Sequence, residues 1–479
     1  MILLAGEHLL RCGAGAEGLA EYRRVAHGAG YSIPGGFLAS VLGLIWGEVR
    51  ARIRGIDFVL REPAELDEAT RWRLEVGGTL LRGLQWVDAL KATTVHRAYQ
   101  RYALDAGAAD DIAVALHMGV ATHAGGGGSR RARAMQQGAQ LALAHARRPD
   151  AIWMVDFCVA MGALMAGDYV TLSERWESWT RRYAERPDDA EAERDGRALI
   201  GQAALIMSGR LLEARRHAAL LTREAERAGD TLVLRMLDGI PTTLIRYAYG
   251  ESASKLAAGA RASRTRGLEE DNWVVVMGAV STEVEMLSAA GHISDALATL
   301  NVWYPRIARK GFFHTPAVAT AAWMIAIRAR LLAAVTEPAG SAARARHAAR
   351  ARHGCRRLPV GKMAEARAWK VIFIAELALL DDPSADPRPA LLEAREIFRV
   401  GGKLLGVEVM GALLGLLGDA PLHAAASEYF RTQQVPEPQR LLELSSAVLA
   451  RQYPWREPDS GYAPAPWTSP SLSPAPASR

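Results

Sequence analysis

From Leu211 the apolar positions Leu211, Ala214, Ala218, Leu221, Ala225 and Ala228 advance by three or four residues. That interval sets them on one face of an α-helix, with Arg215, Arg216, Arg223, Glu224 and Arg227 on the solvated side. Gly229-Asp230 then supplies a stop and a cap for the helix that follows. The same spacing dominates the chain. Alternating β-branched runs bounded by turn residues do not occur, and the ambiguous Val274–Val276 lies inside a helical pattern. Residues 35–55 read as one long helix whose end, LIWGEVRARIR, is basic, and further helical segments fall at 361–380, 390–400, 402–417 and 422–434. Pro241 interrupts the helical run Leu232–Tyr249, where an interior proline costs roughly 3 kcal/mol and predicts a kink or break.

A longer period is superimposed on this one. Gly83, Gly125, Gly167, Gly209, Gly250 and Gly291 are separated by 42, 42, 42, 41 and 41 residues, each with an apolar helical segment before it and a helix after it. Gly209-Arg210-Leu211 and Gly291-His292-Ile293 match in detail, and each is followed by an alanine (Ala214, Ala296) five residues after the glycine. A small residue there lets two helices approach closely. The pattern predicts a tetratricopeptide-like solenoid of two-helix repeats of about 42 residues over 1–452, most regular across 67–310. Residues 336–357 read as a basic insertion in it. The Pro- and Ser-rich stretch 453–479 has no apolar period and reads as a disordered tail.

Composition adds less. Half of the 479 residues are hydrophobic, which excludes wholesale disorder, and a net charge of +6 is mild for this length. Cys12, Cys158 and Cys355 form no C-x-x-C pair and their odd number argues against a disulfide framework. MILLAGEHLLRC lacks the basic start of a signal peptide, and the apolar runs Phe37–Trp46 and Leu404–Leu417 are too short to span a bilayer. The expectation is a cytoplasmic chain with no membrane partner.

Candidate chemistry is sparse. Gly125–Gly128 is followed by Ser129-Arg130-Arg131 rather than the lysine and hydroxyl of a phosphate loop. His117 and His123, like His347 and His353, are six apart, which separates them by about 120° around a helix and off a shared metal face. No nucleophile elbow or zinc-protease motif is present, so no catalytic residue, metal ligand or cofactor is assigned. Two sets of residues could bind a partner. Trp176, Trp179 and Tyr183 form an aromatic stripe that would anchor a ligand if exposed in a concave groove and would fill a joint between helices if buried. Arg344, Arg346, Arg350, Arg352, Arg356 and Arg357 lie in SAARARHAARARHGCRR without an acidic residue. They could hold a phosphate backbone or an acidic partner, and Arg350 with Arg352 would be the pair to reverse. The absence of interleaved aromatic residues counts against single-stranded nucleic acid.

Three N-terminal stretches carry a resemblance: LLRCGAGAEGLAEYRRVAHGAGYSIP (9–34), LIWGEVRARIRGIDFVLRE (44–62) and RWRLEVGGTLLRGLQWVDALKATTVHRAYQRYALDAGAADDIAVALHMGV (71–120). In this order they resemble the C-terminal helical region of large bacterial, myxobacterial-type serine/threonine kinases that carry a central AAA-type ATPase domain. This chain has neither the kinase nor the ATPase domain, so no catalytic residue carries over. The resemblance implies a non-catalytic interaction or sensory scaffold that presents a concave groove to a protein, a peptide or a small effector, with a kinase or ATPase regulator among its partners. The alternative is a nucleic-acid-associated regulator using 341–357. The apolar start Met1-Ile2-Leu3-Leu4 further suggests a missing upstream neighbour, because arrays close on a polar-faced cap.

Overall fold

The computed structural model describes residues 2–11, 14–123, 130–185 and 196–456. Among these the chain is all-helical, with extended pairing confined to an isolated bridge between Arg61 and Ala108. Capping residues start many of the helices: Asp67 accepts from the Thr70 amide, Asp230 from Val233, Asn272 from Val275 and Asp419 from Leu422. Each satisfies one of the four amides that a helix leaves unpaired at its start. The stripe from Leu211 becomes the buried face of the helix Leu211–Ala228, except that Ala228 is exposed. The break at Pro241 is present too. One helix ends at Leu237, and the next, Ile240–Ala248, carries the proline in its first turn, where a missing N–H costs nothing.

The glycine series divides. Gly167, Gly209, Gly250 and Gly291 all have φ between 72° and 100° and close helices, a left-handed conformation that an L side chain rarely adopts. Gly83 is no turn. It lies inside the helix Glu68–Leu84, where a Cβ would sit 2.4 Å from the Tyr22 hydroxyl, so it serves close packing. Gly125 lies outside the described residues. So do the remaining glycines of Gly125–Gly128 and residues 457–479 of the Pro/Ser-rich stretch.

Consecutive helices pack on one another, as Ala253–Glu269 does on Trp273–Ala289 and Leu404–Leu416 on Ala420–Thr432. The chain also returns on itself. Three successive turns of its middle part meet the turns of its C-terminal part. The Tyr169 amide donates to the Gly401 carbonyl at 3.1 Å. The Tyr429 hydroxyl donates to the Gly209 carbonyl at 2.8 Å, and the Leu212 amide to Gln433 Oε1 at 3.2 Å. Arg440 donates to the Tyr247 and Glu251 carbonyls at 2.9 and 2.8 Å. Buried charge reinforces the joints. Lys403 pairs with Glu365, which also accepts from Tyr169 and from the Trp369 indole, and Arg328 reaches both Glu285 and the Leu444 carbonyl. The turn edge at 167, 209 and 250 is therefore covered by the chain's own C-terminal helices.

The segment read as a basic insertion forms a helix that packs on its neighbours in sequence. The helix Ala342–Arg357 packs on Pro316–Thr336 and Ala364–Asp381 and buries Ala348, Ala351, Gly354 and Cys355. Gly354 is tight enough that a Cβ would come 2.6 Å from Ile327 Cγ1. Two helices, Pro149–Ala166 and Pro316–Thr336, have the length and apolarity to cross a membrane, yet 50% and 72% of their spans are buried inside the protein. Beyond the last described helix, Trp455 packs edge-on against His423 and Phe430.

Candidate functional site

The helix Phe37–Arg54 is built inside out. Its inward face carries small residues, Ser40, Gly43, Gly47 and Ala51, and packs on the helix Ala89–Ala106. The fit is close: a Cβ at Gly43 would lie 3.0 Å from Thr94, and one at Gly47 would lie 2.9 Å from Arg97. Ion pairs tie down the edges, Arg97 to Glu48 at 3.1 Å and Arg54 to Asp105 at 2.9 Å. Glu48 also takes Arg52, and these arginines hold its carboxyl below the usual range against a burial that pushes it up.

The large apolar residues of this helix point away. Leu38, Leu42, Ile45, Trp46, Val49 and Ile53 are exposed, from 40% at Val49 to 81% at Ile53. Every one of them falls within about 100° of arc. Arg50 lies over the Trp46 ring at 4.9 Å. The six together expose roughly 700 Å² of largely apolar surface, above the roughly 300–600 Å² of the largest patch of an ordinary monomer. A helix that turns its bulk outward and its glycines inward gains nothing from water on that face. Chemically the surface offers shape and apolar area with a cationic end, suited to holding another helix.

The sequence-derived candidates lie elsewhere. Trp176 and Trp179 are each 4% exposed and belong to an interior aromatic cluster with Trp86, Trp153 and Phe157, which removes both from any groove surface. The physical reason is a joint to fill. Gly196 and Gly201 leave room for the two indoles, where a Cβ would come within 2.5 and 2.6 Å of them. His217 sits against Trp176 at 5.0 Å, and burial pushes its pKa down to about 3. Tyr183 is on the same helix, Tyr169–Glu185, but its side chain lies outside the described residues.

The arginine segment splits by face. Arg344 donates to the Leu380 carbonyl and Arg352 pairs with Asp381, so both serve the fold. Arg346, Arg350 and Arg357 share one outward stripe with His353, and no ion pair engages them among the described residues. Arg356 is exposed beside that stripe. His117 is buried, with Nδ1 2.8 Å from the Ala113 carbonyl, and no three His, Cys, Asp or Glu converge on a metal-sized site among the described residues. The crevice lined by Glu285, Ser288, Arg328, Glu443 and Arg451 encloses about 30 Å³, which is room for water.

The outward face of residues 37–54 escaped the sequence reading, although its signal was present. Bulky apolar residues at four-three-one-three-four spacing opposite a Ser/Gly/Gly/Ala edge mark a helix with two packable faces. Which face meets the protein depends on its neighbour. No protein-family model matches the chain, and no curated protein or solved structure is significantly similar to it.

Proposed function

We propose that this chain is a non-catalytic interaction module of a bacterial signalling system, and that the outward face of helix Phe37–Arg54 is its contact surface. The observation that carries the reading is the inverted helix: six large apolar side chains exposed in one stripe while glycines face inward. Leaving that area in water forgoes roughly 25 cal/mol per Å², a loss that only a bound partner recovers. The tetratricopeptide-like right-handed solenoid of about 42 residues per repeat is the architecture this reading assumes. The left-handed glycines at 167, 209, 250 and 291 support it. The resemblance of residues 9–120 to the helical region of kinase–ATPase regulators suggests such a regulator as the partner and the cytoplasm as the setting.

The test is site-specific photocrosslinking in the native host from Leu42, with Leu392, exposed on another helix, as the reference position. The expected result is a discrete protein adduct from position 42 that is lost when Ile45 and Val49 are both changed to Glu. No adduct, or the same adducts from both positions, refutes the assignment of this surface.

A second reading rests on the stripe Arg346, Arg350 and Arg357, which would hold an acidic partner or a phosphate backbone. Because Arg352 is engaged with Asp381, the informative double reversal is Arg346→Glu with Arg350→Glu. Binding to duplex DNA that falls steeply with salt and disappears in this variant would favour it.

A further inference from the structure

We infer that the occupant of the exposed helix face is a second copy of this chain, the two Phe37–Arg54 helices pairing antiparallel about a two-fold axis. This rests on the reading of that face as a contact surface and adds what covers it. The stripe is a palindrome in position. Read inward from either end, Leu38–Leu42–Ile45 and Ile53–Val49–Trp46 both step by four and then three residues. An axis through the midpoint of Ile45 and Trp46 therefore sets Leu38 against Ile53 of the partner and Leu42 against its Val49. Isologous interfaces require such self-complementarity. The four-three spacing is also that of helices which interlock side chains along a seam.

Charge selects the orientation. Arg50, Arg52 and Arg54 all lie at the C-terminal end of the helix, and its first eleven residues carry no charge. A parallel pair would bring Arg50, which flanks the stripe over the Trp46 ring, beside its own copy. In the antiparallel pair Arg50 lies opposite Val41 and Arg52 opposite Ala39. The two copies of Arg50 are then nine residues apart along the axis, about 13 Å at 1.5 Å per residue and beyond the ~8 Å screening length at physiological salt. The area is of the right order: about 800 Å² per partner defines a standard stable interface, and the six exposed side chains offer roughly 700 Å². The inward face needs no adjustment, since Gly43 and Gly47 already seat the helix on Ala89–Ala106.

The experiment is sedimentation equilibrium of the full chain from 1 to 100 µM, with thiol crosslinking to read orientation. The expected mass is twice 51.8 kDa in the upper part of that range. Ile45→Glu with Val49→Glu should weaken the association at least 100-fold with unchanged helical circular dichroism, because both side chains point to solvent. Leu392→Glu should leave it intact. For orientation, a mixture of Leu38→Cys and Ile53→Cys chains should yield a crosslinked dimer that neither variant forms alone. A monomer throughout overturns the inference, as does a dimer that survives the double Glu variant or one that crosslinks through Leu38→Cys alone. If the chain is a monomer yet crosslinks from Leu42 to a different protein, self-pairing fails and the contact-surface reading stands. If both are blank, both fail.

Discussion

Replacing Glu376 by glutamine tests how the C-terminal segment is held. Glu376 lies on the helix Ala364–Asp381 with no solvent exposure. Its Oε1 accepts from the Val448 amide at 2.8 Å and from the Ser446 hydroxyl, while Oε2 is buried with no hydrogen-bond partner among the described residues. Burial pushes its pKa from an ordinary 4.5 up to about 7, against the opposing pull of those hydrogen bonds and of Arg328. The sign follows from proton linkage. Between pH 4.5 and 7 the folded protein holds a proton that the unfolded chain has released, so stability falls as pH rises through this window and levels off above it. At 1.36 kcal/mol per unit, the rise from 4.5 to about 7 bounds the loss at about 3–4 kcal/mol, or roughly 300-fold in an opening equilibrium. Glutamine keeps the accepting oxygen and carries no charge at any pH. Hydrogen exchange at the Val448 and Leu449 amides, corrected for intrinsic rates, reads the opening directly. Protection in the parent protein should drop between pH 5 and 8 relative to Glu376→Gln, with most of the difference developing below pH 7.5. Parallel profiles for the two proteins would refute the reasoning, because they would mean that Glu376 releases no proton in that window.

Three further outcomes are expected. Gly415→Ala places a Cβ 2.6 Å from the His423 Cα and 2.7 Å from its backbone nitrogen. It should cost about 1–3 kcal/mol in a denaturant titration, whereas Gly278→Ala, with open space around it, should stabilise by about 0.5–1 kcal/mol. Arg328→Met strands Glu285 and frees the Leu444 carbonyl, so a loss of about 3–5 kcal/mol is expected in urea. Adding Glu285→Gln should recover part of that loss, and a more severe double variant would contradict the pairing. Trp179→Ala should cost about 3–5 kcal/mol and collapse the near-ultraviolet dichroism of its aromatic cluster. It should leave crosslinking from Leu42 untouched.

Local structure was legible because it is governed by neighbours in sequence. The three-four apolar interval predicted the buried face of Leu211–Ala228, Pro241 predicted the break between Leu237 and Ile240, and the glycines at 167, 209, 250 and 291 predicted turns that need φ > 0. These signals act within a few residues, so one chain suffices to read them. Gly83 shows where that stops. Its spacing matched a turn series, but only Tyr22, 61 residues away, reveals that it is a contact point. The aromatic stripe at Trp176 and Trp179 likewise had two physical outcomes, groove or joint, and Phe157, Trp153 and the glycines at 196 and 201 decided for the joint.

The helix Phe37–Arg54 is the sharpest case. Helical periodicity in residues 37–54 fixes that bulky apolar residues share one face and that Ser40, Gly43, Gly47 and Ala51 share another. It does not fix which face turns inward, because either can be buried against a suitable neighbour. The helix Ala89–Ala106, with Thr94 and Arg97 pressed against Gly43 and Gly47, makes that choice and leaves the stripe from Leu38 to Ile53 in solvent. The closing of the chain from Tyr169 to Gly401 and from Gly209 to Tyr429 is decided in the same way. Periodicity sets which side chains lie together on a helix. What each face meets is set by residues tens to hundreds of positions away, through contacts that exist only once the chain has folded.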